Sequence, residues 1–143
     1  MNWKQAAVDR LTRYSAMQQA RQTIPLELER LEAEAQALRS TFVAGNGAKT
    51  TRDRDSWIIN NLVQRQELEW ALQDAIRWLR VTNLALDTLP LTERSILEGL
   101  FFGQGKKPAQ LEEELCLDRS TFYRYRDKAL ERFTLALYGT LDS

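Results

Sequence analysis

The feature of this sequence that most constrains its fold is the placement of its few prolines and glycines. The 143 residues include three prolines, at positions 25, 90 and 108, and six glycines, at positions 45, 47, 99, 103, 105 and 139. Between these positions the chain is rich in Leu, Ala, Gln, Glu and Arg, which all favour helices. No segment shows the alternation of β-branched and polar residues that is typical of a strand. The sequence therefore predicts an all-α fold.

Residues 1–88 are predicted to form a helical hairpin or bundle that serves assembly. A first helix over 2–22 has an apolar stripe of Trp3, Ala7, Leu11, Tyr14 and Met17. A second helix, with Pro25 near its start, has Leu28, Leu31, Ala35, Leu38 and Phe42 at alternating spacings of three and four. That spacing is typical of a coiled-coil seam or a helical hairpin. Residues 44–55 lack an apolar anchor and are predicted to be a mobile link.

A long helix is predicted from about 56 to 86. Its main stripe, interrupted by Asn83, consists of Leu68, Leu72, Ile76, Leu79 and Leu86. Trp57, Trp70 and Trp78 fall partly off this stripe, so the helix has apolar side chains on more than one side. A helix of this length needs packing partners. The bundle is either completed within one chain or completed by a second subunit, and we expect a homo-oligomer, with a dimer favoured.

The polar composition excludes several kinds of chemistry. There is no histidine and one cysteine, Cys116, so one chain cannot form a zinc finger, a Ser-His-Asp triad or a disulfide. We therefore expect no enzyme activity, no catalytic residue, no metal and no cofactor, and we interpret Cys116 as a small core residue. The first residues lack the apolar core of a signal peptide, and no run approaches the ~18 apolar residues of a membrane span. These features predict a cytoplasmic protein with no membrane partner.

Residues 89–143 are predicted to form a helix-turn-helix domain. Thr92 is expected to cap a short helix with Glu93 in its first turn. A turn at Gly103–Lys107 follows, and Pro108 begins a second helix whose Leu111 and Leu115 face inward. The chain then turns at Cys116 and Leu117. Asp118 is predicted to cap a last helix that extends from 119 to about 137.

The last helix has one apolar face and one basic face. Phe122, Ala129, Leu130 and Phe133 form the apolar face, with Tyr125 or Arg126 at its margin. The predicted DNA-binding residues on the other face are Arg119, Ser120, Thr121, Tyr123, Arg124 and Lys128. Lys106 and Lys107, in the preceding turn, are predicted to contact phosphates. In a helix-turn-helix the second helix enters the major groove of double-stranded DNA, where its first residues reach the bases.

The segments LTERSILEGLF (91–101) and PAQLEEELCLDRSTFYRYRDKALERF (108–133) resemble region 4 of sigma-70-type factors and the sigma-like helix-turn-helix of phage regulators. The resemblance places the family's base-reading residue on Arg124. Where the family often has Arg-Glu-Arg, this chain has Arg119-Ser120-Thr121, and Tyr123 and Tyr125 also depart from its pattern. The resemblance therefore implies a docking mode and no particular target sequence.

With its helical N-terminal half, the whole chain is similar to prophage transcriptional regulators of the ArpU/RinA kind. That similarity implies a sequence-specific DNA-binding regulator. Because 20 basic residues balance 20 acidic ones, DNA must be held by a local patch of charge. Two alternatives stay open. One is a module that acts mainly by contacting RNA polymerase, and the other is a phage DNA-packaging adaptor of the small-terminase type.

Overall fold

The fold is defined by a computed structural model that describes residues 2–43 and 51–141. In these two ranges every regular element is a helix, which confirms the predicted all-α fold. The helices in these ranges are α1 (Trp3–Thr12), α2 (Tyr14–Val43), α3 (Thr51–Asp87), α4 (Leu91–Phe101), α5 (Pro108–Glu114) and α6 (Arg119–Tyr138).

The chain divides into two compact units. The first consists of Met1–Gln18 together with Arg77–Ser143, and the second of Gln19–Ile76. The sequence-based boundary, by contrast, fell after residue 88 and assigned α1 and the end of α3 to the assembly region. The structure groups these segments with α4, α5 and α6, because Ala7 and Leu11 of α1 are buried in the same cluster as Leu130 and Phe133 of α6.

The core of the first unit draws side chains from α1, α3, α4 and α6, one from the start of α2 and one from the turn before α4. Its buried members are Ala7, Leu11, Tyr14, Leu79, Ala85, Leu86, Leu89, Leu97, Ala129, Leu130 and Phe133. The apolar stripe predicted for the first helix is confirmed, since Ala7, Leu11 and Tyr14 are buried while Trp3 and Met17 pack at the edge of the cluster.

Polar contacts join α1 and the start of α2 to the end of α3. The Nε atom of Arg10 donates a hydrogen bond to the hydroxyl of the fully buried Thr82 at 2.8 Å, and the guanidinium lies 4.7 Å from the ring centre of Trp78. The hydroxyl of Tyr14 donates to Oδ1 of Asn83 at 2.5 Å. Asn83 interrupts the apolar stripe of α3 because its side chain has this specific polar partner.

The start and end of the first two helices differ from the prediction. The helix expected over 2–22 ends at Thr12, and Arg13 separates α1 from α2. Pro25 lies inside α2 and not near its start. A proline has no N–H to donate to the carbonyl four residues earlier. Helix α2 nevertheless continues through Pro25, with Ile24 before it and Leu31 after it both buried.

The second unit is built from α2 and α3. Leu31 and Ala35 of the predicted seam are buried, while Leu28 and Leu38 are half-buried; the side chain of Phe42 lies outside the described residues. The buried Asn61 of α3 donates a hydrogen bond from Nδ2 to the carbonyl oxygen of Leu31 at 2.9 Å. This hydrogen bond fixes which residues of α2 and α3 face one another.

The prediction of a mobile link over residues 44–55 is partly wrong. Residues 44–50 lie outside the described residues, but residues 51–55 form the first turns of α3. The long helix therefore begins five residues earlier than predicted and ends at Asp87, one residue later. The error arose because residues 52–55 are exposed, so a helix there shows no apolar periodicity in the sequence.

Candidate nucleic-acid interface

The three C-terminal helices share a second apolar cluster that places α6 against α4 and α5. Each helix contributes one buried side chain, and these are Ile96 of α4, Leu111 of α5 and Phe122 of α6. Leu115 packs against the cluster and is partly buried. The inward orientation predicted for Leu111 is confirmed. Burial of Phe122 in turn determines which face of α6 points outward.

The turn between α4 and α5 has a conformation that requires glycine. Gly103 and Gly105 have φ angles of +63° and +75°, in the left-handed region that glycine enters without steric cost. The N–H of Lys106 donates to the carbonyl oxygen of Gly99 at 2.7 Å. A Cβ atom on Gly105 would lie 2.6 Å from the carbonyl oxygen of Leu100. The predicted turn is confirmed, and Pro108 is the first residue of α5 as expected.

The start of α4 differs from the prediction. Thr92 was expected to be the N-cap, but α4 begins at Leu91 and Pro90 is its N-cap, without a capping side chain. Pro90 has the extended backbone that precedes a helix, with φ −57° and ψ 151°, so the helix starts before Thr92. Glu93 is therefore in the first turn, as predicted, but its carboxylate is buried.

The turn between α5 and α6 contains a left-handed residue that is not glycine. Cys116 has a φ angle of +56° and is exposed, so the prediction that it is a core residue is wrong. The N–H of Leu117 donates to the carbonyl oxygen of Glu112 at 2.9 Å, which closes the end of α5. A chain reversal of this kind uses one left-handed residue, and Cys116 supplies it at the surface.

Asp118 caps α6, as predicted. Its Oδ1 accepts a hydrogen bond from the backbone N–H of Thr121 at 3.0 Å. Hydrogen bonds from the side chain and the backbone of Thr121 hold the pKa of Asp118 below its ordinary value. The helix extends from Arg119 to Tyr138, one residue beyond the predicted end.

The two predicted faces of α6 are observed. Phe122, Ala129, Leu130 and Phe133 are buried. Among the residues predicted to bind DNA, Arg119, Ser120, Arg124 and Lys128 are exposed, while Thr121 and Tyr123 are half-buried. Ser120, Arg124 and Lys128 follow one another at intervals of four residues, so they form a row with steps of about 6 Å along the helix. We call these three residues the basic row.

The cations of α6 differ in how far the protein neutralises them. Arg126 donates to the Asp127 carboxylate at 2.8 Å and lies 4.7 Å from the ring centre of Tyr123. The guanidinium of Arg124 lies 5.8 Å from the ring centre of Tyr125. Within the described part of the chain, neither Arg124 nor Lys128 forms an ion pair. Neither cation of the basic row is therefore held in an ion pair there, although the charge of Arg124 contributes to the lowered pKa of Asp118.

The two lysines of the turn, predicted to act alike, have different surroundings. The Nζ atom of Lys106 lies 3.0 Å from a carboxylate oxygen of Glu114, at the far end of α5. This contact holds the pKa of Glu114 below its ordinary value. Lys107 is exposed and is the N-cap residue of α5. Of the two, Lys107 is the cation that no described carboxylate neutralises.

A groove of about 550 Å³ lies beside the basic row. It is lined by Glu93, Arg124, Tyr125, Asp127, Lys128, Glu131 and Arg132. Oε2 of the buried Glu93 is 3.5 Å from Nη1 of Arg132. Arg132 was not among the predicted site residues, although it continues the spacing of Ser120, Arg124 and Lys128 by four more residues. In the structure Arg132 connects the end of the row to the start of α4.

Comparisons with known proteins add no relative. No protein-family model matches this chain, and neither a curated protein nor a solved structure matches it. None of the helices in the described ranges combines the length and apolar character that crossing a membrane requires. Among the described residues, no three His, Cys, Asp or Glu side chains are grouped so as to hold a metal ion.

Proposed function

We propose that this chain is a sequence-specific DNA-binding transcriptional regulator that works as a homodimer and reads double-stranded DNA with α6. The observation that carries the proposal is the basic row. Ser120, Arg124 and Lys128 lie in line on the exposed side of a helix whose opposite side is buried. A rigid helix that presents such a row can enter the major groove.

The arrangement of α5 and α6 supports a helix-turn-helix over residues 89–143. In that motif two helices are joined by a turn of three or four residues that often contains glycine. Here α5 ends at Glu114, α6 begins at Arg119, and Cys116 has the left-handed conformation that favours glycine. The cap at Asp118, which accepts from the N–H of Thr121, fixes the residue at which α6 begins.

The proposed contacts follow from the chemistry of each side chain. Arg124 offers a planar guanidinium for bidentate contact with a guanine, while the hydroxyl of Ser120 suits a base edge or a phosphate. Lys128 and Lys107 are proposed phosphate contacts. Helix α6 contains five basic and two acidic residues, so it is locally positive although the whole chain has no net charge.

The biological setting belongs to the same proposal and depends on the sequence resemblance. The resemblance to ArpU/RinA-type regulators supports a phage or prophage gene and a cytoplasmic site of action. The sigma-like pattern adds RNA polymerase as a second proposed contact.

The deciding experiment is to select binding sites from a random pool of DNA duplexes with the purified protein. We expect a consensus with two-fold symmetry. Arg124→Ala should weaken binding to the selected site by about 5- to 150-fold, because one bidentate base contact contributes ~1–3 kcal/mol of discrimination. The circular dichroism spectrum should not change. The matched control is Arg80→Ala, which removes an exposed arginine of α3 and should leave binding intact.

Other outcomes would replace the proposal by one of its alternatives. A protein that selects no sequence but binds RNA polymerase would be a polymerase-contacting module. A ring of eight or more subunits would favour a DNA-packaging adaptor. If Arg124→Ala keeps the full preference for the selected site, α6 does not read DNA through the basic row.

A further inference from the structure

The second unit leaves a band of apolar side chains uncovered on α3. Five residues are exposed, with 41 to 62% of each residue's surface accessible: Ile58, Ile59, Leu62, Val63 and Trp70. We call these five residues the apolar face of α3. Single exposed apolar residues are ordinary, but a contiguous group of this size on a helix marks an interaction site.

Three residues of the apolar face of α3, namely Ile59, Val63 and Trp70, point away from the contact with α2. Asn61 faces α2, because it donates to the carbonyl oxygen of Leu31. Ile59 and Val63 are each two residues from Asn61, which places them about 160° around the helix from it. Trp70 is seven residues after Val63 and lies on the same side. Helix α2 of the same chain therefore does not cover these three residues, whereas the exposed Leu62 lies at the edge of the contact, beside Leu28 of α2.

We propose that the apolar face of α3 pairs with the same face of a second copy of this chain, with the two α3 helices antiparallel. This inference names the interface of the dimer included in the proposed function. Its tests do not involve DNA, so the interface and the DNA-binding role can fail separately.

The size of the apolar face fits a dimer interface. Large side chains have on the order of 150–250 Å² of surface each. Because 41 to 62% of each of the five residues is accessible, together they expose on the order of 500 Å². Two copies would bury about 1,000 Å² of apolar area. Because apolar atoms form roughly 60% of an interface, this corresponds to a total of about 1,600 Å², the size of a standard stable complex.

The charge pattern favours a second copy over other partners. None of the five residues is charged and Gln66, between Val63 and Trp70, is neutral, while the exposed Glu67 borders the face and has to stay at its solvent edge. Such a face offers nothing to the phosphates of a nucleic acid. We place the crossing of the two antiparallel helices near Gln66, so that this neutral side chain meets its own copy, as a two-fold symmetric interface requires.

The first test measures the mass of the full-length protein in solution by light scattering or sedimentation at micromolar concentrations. The parent chain should have twice its 16.6 kDa mass. Leu62→Glu combined with Trp70→Glu should weaken association at least about 100-fold, because it would bury two unpaired carboxylates. Both positions are exposed in the single chain, so the helical circular dichroism should persist.

The matched control is Leu91→Glu, since Leu91 of α4 is the most exposed of the described large apolar residues, at 81%. This variant should remain a dimer. A parent protein that is monomeric at tens of micromolar, or a double variant that stays dimeric and folded, would overturn the proposal.

A second test checks the geometry by crosslinking. In a Cys116→Ser background the chain has no other cysteine. Gln66→Cys lies near the proposed crossing point and should form an intermolecular disulfide rapidly under mild oxidation. Gln73→Cys lies about 10 Å farther along α3, so in an antiparallel pair it should crosslink at least about ten times more slowly. Equal rates at both positions, or no crosslink at either, would contradict the antiparallel pairing.

Discussion

The two left-handed glycines of the turn before α5 give a matched pair of substitutions. Gly103 and Gly105 have φ angles of +63° and +75°, but their surroundings differ. A Cβ on Gly103 would meet no atom within 4 Å, whereas one on Gly105 would lie 2.6 Å from the carbonyl oxygen of Leu100. Alanine at either position is strained by the left-handed backbone. Only alanine at position 105 also collides with a main-chain atom.

The expected magnitudes follow from these two terms. A left-handed conformation costs an alanine about 1–2 kcal/mol, and replacing glycine recovers about 0.4–1 kcal/mol through the unfolded state. Gly103→Ala should therefore lower the free energy of unfolding by about 0.5–1 kcal/mol. Gly105→Ala should lower it by about 2–4 kcal/mol, because the backbone of Leu100 must move to relieve the contact.

Urea unfolding followed by circular dichroism measures the difference. With a denaturant slope of about 2 kcal/mol per molar, the midpoints of the two variants should differ by about 1 M. Lys106 donates its N–H across this turn to Gly99, so Gly105→Ala should also speed hydrogen exchange of that amide. Equal midpoints for the two variants would refute the reasoning that the close approach to Leu100 makes Gly105 obligatory.

Two further predictions concern charge. The pKa of Asp118 lies below its ordinary 3.8, so its capping contribution is complete above pH 3.8 and is lost as the pH falls through the lower folded pKa. An asparagine at this position would cap at every pH. We therefore expect thermal melts to show that the parent loses melting temperature relative to Asp118→Asn as the pH falls from 5 to 2. A difference in melting temperature that stays constant over this range would contradict the cap. For DNA, Lys107→Ala should flatten the slope of log affinity against log salt by about 0.9 per subunit. Lys106→Ala should change that slope less because Glu114 already pairs with Lys106. Binding titrations at several salt concentrations measure both slopes. A larger change for Lys106→Ala than for Lys107→Ala would mean that Lys106, and not Lys107, is the phosphate contact.

Much of the fold could be predicted because strong local signals coincided with tertiary burial. Helix α6 is the clearest case, since Asp118 caps its start and Phe122, Ala129, Leu130 and Phe133 are the side chains that the core buries. The apolar stripe of α1 was also predicted from the sequence. The helices that pack on this stripe were not predicted, because a stripe shows that one side of a helix is buried and does not identify the helix that covers it.

The errors occurred where local rules had more than one solution. Arg13 separates α1 from α2 without a glycine or proline to mark the break, and Pro25 is accommodated within α2. Cys116 looked like a core residue because cysteine is usually buried, yet the turn needed a left-handed residue at the surface. At the candidate interface four of the six α6 residues predicted on the outer face are exposed, while Thr121 and Tyr123 are half-buried. The sequence did not predict that Glu114 would pair with Lys106, because such pairing depends on how the turn folds back.

The first unit is built from segments at both ends of the chain, which has a consequence for how the protein folds during its synthesis. Ala7 and Leu11 leave the ribosome with α1, but Leu130 and Phe133, which share their core, belong to α6. At roughly 5–20 residues per second, translation takes on the order of ten seconds to pass from one helix to the other. Residues Gln19–Ile76 are made entirely within that interval. The second unit therefore has time to fold during translation, whereas α1 lacks the part of its core that Ala129, Leu130 and Phe133 provide until α6 has been made.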